Sequence, residues 1–310
     1  MNTRHASAPA EGSSQGAHTV RQTITAIGAG RPEWQRVTQE LIRNRGAVAG
    51  MVLMLAIVVA ALAPPLVAPY SPDEQSLVSA LQGPSIEHLM GTDEFERDIF
   101  SRILYGARIS LRMGIMAVAI AGGIGSLLGL FAGYYHGWFD TIALRLVDAL
   151  LAFPDILLAL VVLTILGPSI TSVTIGIAVT QIPAFVRVAR ASTLTVRELD
   201  YIVSVQVIGA NDIRIMLRHI PPNVVAPLIV LGSVTVESAI LVGSGLSFLG
   251  LGAQPPTPEW GDMLLSSRLY MRYSPWIAIF PGSVMVLTVP SINMFGDGLR
   301  DALDTRLRTR

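Results

Sequence analysis

The sequence predicts an all-α membrane protein with about six transmembrane helices. Of its 310 residues, 51% are hydrophobic and only 14% charged, where a soluble protein carries about a quarter charged. Mean hydropathy is +0.55. Apolar runs recur at the roughly 20-residue length that crosses the hydrocarbon of a bilayer. They read as residues 46–67, 111–134, 142–166, 170–189, 224–250 and 276–295. These spans are expected to be helical, because lipid leaves no partner for an unpaired backbone group.

Residues 1–33 are small and polar and are expected to form a disordered tail. They lack an apolar stretch followed by a small-residue cleavage site, so they do not read as a secretory signal. The apolar body runs over 34–306, and 307–310 form a short closing tail. Between the first two spans lies a loop, 69–108, carrying Asp73, Glu74, Glu87, Asp93, Glu94, Glu96 and Asp98. The second span holds Gly122, Gly123 and Gly125, and the fifth holds Gly243 and Gly245. Small residues there suit close helix packing or a flexible, path-lining segment. The third span is expected to be one helix with Asp148 and Asp155 in its first half, a spacing open to a proton path. Trp34, Trp138, Trp260 and Trp276 fall near span ends, where interfacial belts account for them.

Arginine distribution sets the expected orientation. Arg31, Arg36, Arg43 and Arg45 precede the first span. Arg187, Arg190, Arg197, Arg214 and Arg218 mark a central loop, and Arg300, Arg306, Arg308 and Arg310 close the chain. With an even number of spans these regions share one side, the cytoplasm, which places both termini there. The chain then sits in the cell (inner) membrane as a multi-pass protein.

Composition also excludes chemistry. There is no cysteine, so thiolate catalysis, disulfides and cysteine metal sites are ruled out. There is no lysine, hence no P-loop lysine. Net charge is +0, which gives nucleic-acid binding no electrostatic support. His5, His18, His88, His136 and His219 are scattered without ligand spacing. No metal, cofactor or catalytic residue is expected in this chain.

The central polar segment, about 190–223, is the strongest functional signal. Ile202, Val205 and Ile208 share a helical face, while Val203, Val205 and Val207 alternate as in a strand. A strand would lack partners in a helical protein, so two short helices are favoured. Gly209 suits the turn between them. Pro221 and Pro222 are expected to stop the second helix before the chain re-enters lipid. A short helix exposing an apolar ridge of Ile202, Val205 and Ile208 can dock in a partner's groove or rest on headgroups.

This pattern of short helix, glycine and proline resembles the "EAA loop" of ABC-importer permeases. The segments from Gly91 to Asp98, Ser101 to Leu111, Asp148 to Pro154, Leu246 to Gly261 and Gly296 to Asp304 are similar to blocks of dipeptide/oligopeptide/nickel permeases of the C-subunit type, and the likeness covers nearly all of 34–306. The resemblance implies a type I ABC importer permease fold with a cytoplasmic coupling helix. It implies docking of the ATPase subunit on Tyr201, Ile202, Val203, Ser204, Val205, Gln206, Ile208, Gly209, Ala210 and Asp212. It also implies an outer face, met by a binding protein, made of Gly91, Thr92, Asp93, Arg97, Asp98, Pro256 and Trp260.

The sequence departs from that family at three places. Val203-Ser204-Val205 stands where Glu-Ala-Ala is usual, Glu96 where a glycine is usual, and Gly243 where a carboxylate is common. Glu237, deeper in the fifth span, is either an intramembrane functional group or a paired packing residue.

The reading that follows is a permease subunit of an ATP-driven importer for peptides or related small solutes. Its expected partners are a second, homologous permease chain, two ATP-binding subunits that hold ATP and magnesium, and an extracytoplasmic binding protein. An ion-coupled secondary transporter would require an inverted repeat and paired midplane charges. A non-transporting scaffold would leave the ordered blocks on both faces without a purpose.

Overall fold

Two polar side chains start the first long helices. Asn44 Oδ1 accepts the Ala47 amide at 3.2 Å and Asp98 Oδ2 accepts the Ser101 amide at 2.7 Å, each satisfying a donor that a helix N-terminus leaves free. In this computed structural model, which describes residues 33–75 and 80–303, the elements are α1 (Glu33–Arg43), α2 (Arg45–Leu62), the one-turn α3 (Pro64–Val67), α4 (Ile99–Tyr135), α5 (Gly137–Leu151), α6 (Asp155–Leu166), α7 (Ile170–Arg197), α8 (Asp200–Val207), α9 (Asp212–Arg214) with a π-helical turn (Ile215–His219), α10 (Pro221–Phe248), α11 (Trp260–Ser267) and α12 (Trp276–Leu303). No strand occurs among the described residues. Of the expected tail over 1–33, only Glu33 is described, and it opens α1; the rest of that tail, the 307–310 tail and the side chain of Trp34 lie outside the described residues.

Five helices, α2, α4, α7, α10 and α12, are long and apolar enough to cross a membrane, and the bent pair α5–α6 forms either a broken sixth span or a re-entrant loop. Three expected boundaries need correction. First, α4 begins at Ile99, not 111. At 37 residues it is about 55 Å long and exceeds the hydrocarbon thickness, so its first turns project from the bilayer. Ser101, Arg102 and Ser110 lowered the apolarity of that stretch, yet all three are buried beneath the segment 69–98 and the 252–275 segment. Second, the third span is not one helix. It breaks at 152–154 with a 95° bend, because the residue before Pro154 is pushed out of helical angles. Third, α7 continues to Arg197, past the expected end at 189.

Packing follows small residues. Gly125, Gly129 and Gly133, one turn apart on α4, lie directly against Phe185, Val186, Ala189, Arg190 and Thr193 of α7, where a side chain would collide. That close approach is the small-residue packing expected in lipid. Gly123 and Gly245 meet nothing, whereas Gly243 is filled by Met113 and Ile177. Buried Ala117, Ala121, Ala159, Val173, Ile177 and Phe185 form the mid-membrane core.

Residues 69–75 and 80–98 with α11 build a lobe at one end of the bundle, and α8 with its flanking turns builds a loop at the other. Within the lobe Glu96 has φ +66°, the left-handed region that side chains avoid at a cost of about 1–2 kcal/mol. The position is the one where the family pattern has glycine. Glu96→Gly is therefore expected to raise the thermal midpoint of the detergent-solubilised protein, by about 1 kcal/mol of stability. An unchanged or lowered midpoint would count against strain at this residue.

Candidate functional site

At the loop end, α7 gives way at Glu198 and Leu199 to α8, which Gly209 terminates. Its φ of +87° lets Gly209 and Ala210 donate their amides back to Gln206 O and Val205 O, at 2.9 and 3.2 Å, closing the helix in the way a C-terminal glycine does. Asn211 Oδ1 then accepts the Ile213 amide at 3.2 Å and starts α9. Residues 201–207 are helical, so their alternating valines do not mark a strand.

The proline pair does not stop this second helix. Pro221 and Pro222 occupy the first positions of α10, where no amide is needed. The preceding π turn, closed by Ile220 N–H donating to Ile215 O at 3.1 Å, carries the helix into the prolines with Ile220 still helical.

The expected ridge is split: Ile202 and Val205 turn inward, while Ile208 stays outward. Ile202 is 0% exposed and sits with Leu130, Val196, Ile215, Met216 and Ile220 in a core that Val205 and Ala210 pack against. Tyr201, Val203, Ser204, Gln206, Gly209 and Asp212 are exposed. The outward apolar surface is Val203, Val207 at 82%, Ile208 at 85% and Ile213. Spacing identified a helical face but not the side on which the bundle lies, and Val207 was missed for that reason.

A polar clamp binds this surface to the spans. Tyr134 is buried at the end of α4 and its hydroxyl donates to Asp212 Oδ1 at 2.7 Å. Arg197 Nη1 donates to Tyr134 O at 2.7 Å and its guanidinium lies 5.6 Å over the Tyr134 ring. Asn223 Nδ2 donates to Tyr201 Oη at 2.8 Å, and that hydroxyl donates to His219 O at 3.1 Å. Nearby, Arg190 meets Asp140 with two 2.6 Å hydrogen bonds, a bidentate geometry that pins α5 to α7. Asp148 pairs with Arg187 at 2.8 Å, while Asp155 opens α6 beyond the break, so the bend separates the two carboxylates on different helices.

The lobe end corrects a second expectation. Gly91, Thr92, Asp93, Arg97, Asp98 and Trp260 are all buried, and of the seven expected surface residues only Pro256 is exposed. Gly91 has φ +80° against Trp276. Asp93 Oδ2 accepts from Arg97 Nε at 2.7 Å, and His88 Nδ1 lies 3.0 Å from Asp98 Oδ1. Trp260 donates its Nε1–H to Ile103 O at 3.1 Å, so it is a core residue, not part of an interfacial belt. These side chains assemble the lobe. Its exposed apolar surface is instead Ile86, Phe95, Leu269 and Tyr273.

Sequence reading also missed Glu259. It is 0% exposed, accepts from Ser110 Oγ of α4 at 2.9 Å and Ser244 Oγ of α10 at 3.2 Å, and caps α11 through the Asp262 amide at 3.0 Å. Beside it, burial first and the Glu259 charge second push the Asp262 carboxyl from 3.8 up to about 6. The folded state then binds the proton more tightly than the unfolded chain, so stability is lost as pH rises from 3.8 through 6. Asp262→Asn is expected to raise the thermal midpoint at pH 7.5, by about 1–3 kcal/mol of stability, and to change little at pH 4. Equal gains at both values would rule out this origin.

Glu237 is half-buried in α10, within electrostatic reach of Asp297 on α12. Among the described residues no group of acidic or histidine side chains could hold a metal ion.

Residues 125–309 match the family described as binding-protein-dependent transport system inner membrane component, and residues 33–84 match the N-terminal TM domain of oligopeptide transport permease C. The chain is 44% identical to the dipeptide transport system permease protein DppC of Alkalihalophilus pseudofirmus, over 89% of this chain and 91% of that one. It is 44% identical to the glutathione transport system permease protein GsiD of Pectobacterium atrosepticum, over 90% and 93%. A chain of the MetNI methionine ABC transporter, crystallised in inward-facing conformations, shares the fold with a TM-score of 0.55 at 16% identity, covering 68% of this chain and 98% of that one. Five to six membrane-crossing segments, a glycine-closed helix at one end and this match over most of its length place the chain in the family of binding-protein-dependent transport system inner membrane components, with the type I ABC importer permease fold.

Proposed function

We propose that this chain carries peptides or related small solutes across the cell membrane as one permease half of an ATP-driven importer. The observation that carries the reading is the water-exposed apolar surface of Val203, Val207 and Ile208 on a buttressed, glycine-closed helix. Burying a Val or Ile side chain is worth about 1.5–3 kcal/mol, so such a surface favours a protein partner. The names of the dipeptide and glutathione relatives support the solute class.

The partner at this end is an ATP-binding subunit. Two such subunits hold ATP and magnesium, one docking here and one on a second, homologous permease chain. The arginines at the loop end and before α2 support an orientation with this end, and both termini, in the cytoplasm. The lobe then faces outward, where Ile86, Phe95, Leu269 and Tyr273 meet a solute-binding protein. ATP-driven closure pulls α8, and the spans switch from inward to outward opening.

Reconstitution tests this. Co-expression with the second permease and the ATP-binding subunit should yield one complex that takes up a radiolabelled dipeptide with its binding protein and ATP. Uptake driven by an ion gradient without ATP would overturn the reading.

A further inference from the structure

The proposed docking surface, Val203, Val207 and Ile208, is exposed, and the structure shows a polar link between this loop and the long spans. Tyr134 is the last buried residue of α4. Its hydroxyl donates to Asp212 Oδ1 at 2.7 Å, just past the Gly209 turn that closes α8. From the other side Arg197, at the end of α7, donates to the Tyr134 carbonyl at 2.7 Å, covers its ring, and reaches His136 Nδ1 at 3.3 Å where α5 begins. This tyrosine and Arg197 thus tie α9, and through the Gly209 turn α8, to α4, α7 and α5.

From this geometry we infer that Tyr134 is a positioning residue for energy coupling. Its hydroxyl hydrogen bond to Asp212 makes the end of α4 follow the docked helix. This rests on α8 being the ATPase-docking element. Apolar contacts under Ile202 hold the loop in place but slide with little directional preference, whereas a short hydrogen bond to a carboxylate is directional. α4 in turn cannot move apart from α7, because Gly125, Gly129 and Gly133 lock the two together. A displacement of Asp212 therefore reaches both long helices at once.

The chain contains no cysteine, so it accepts paired spin labels directly. We would place them at Leu127 of α4 and Leu287 of α12, both exposed, in the assembled complex, and follow the distance on trapping with ATP and vanadate. Tyr134→Phe should still co-purify with the ATP-binding subunit, yet in it, as in Asp212→Ala, the population showing the ATP-driven distance should fall roughly tenfold, as loss of a hydrogen bond to a charged group predicts. Asp212→Asn, whose amide oxygen still accepts the hydroxyl, should retain most of the change. The Tyr134→Phe, Asp212→Ala double variant should lose no more than either single one. A full distance change in either single variant overturns the inference. Failure of the unsubstituted chain to co-purify with the ATP-binding subunit would instead overturn the docking assignment, before any distance is read.

Discussion

Replacing Val207 and Ile208 together by aspartate should cut co-purification of the ATP-binding subunit by about 100-fold or more. Two apolar side chains at 82% and 85% exposure lose their burial on docking, and two carboxylates must be desolvated without partners. The fold should be spared, because surface changes away from packed or bonded groups cost only about 0.5 kcal/mol. Ile202→Asp gives the contrasting result. That side chain is fully enclosed, so the variant should fail to fold, not merely to dock. Normal recovery of the complex with the double aspartate variant would remove α8 from the interface.

The second large effect is expected at Glu259. Its carboxylate is the common acceptor for α4, α10 and the start of α11. Glu259→Ala leaves the Ser110 and Ser244 hydroxyls and the Asp262 amide without that acceptor in a buried site, and should cost about 3–5 kcal/mol. The readout is the fraction of monodisperse protein surviving a heat ramp in detergent. Glu259→Gln keeps an acceptor oxygen and should recover part of the loss. A midpoint for the alanine variant close to that of the parent chain would show that the three helix ends hold together without it.

Both expectations concern residues whose role could not be read along the chain. Val207 and Ile202 are equally apolar and five positions apart. Only the direction of the bundle makes one a surface residue and the other a core residue. Glu259 lies 149 positions from Ser110, and no local pattern announces that meeting. The lobe repeats the lesson: Asp93, Arg97 and Asp98 look like surface charges in sequence, yet they are spent on each other, on His88 and on the start of α4.

By contrast, the helical membrane class, the number of spans and the Gly209 turn were legible, because each depends on local quantities. Apolar run length meets the bilayer thickness, and a left-handed turn selects glycine. Local apolarity misjudged α4 where polar residues are buried by the lobe, and it ran across the Pro154 break, where two apolar helices abut with a 95° bend. The sequence by itself thus determined that the chain crosses a membrane in about six helices and presents a glycine-closed helix beyond them. Only the tertiary structure decided which side of that helix faces outward and which tyrosine ties it to the spans, because both depend on contacts between segments far apart in the chain.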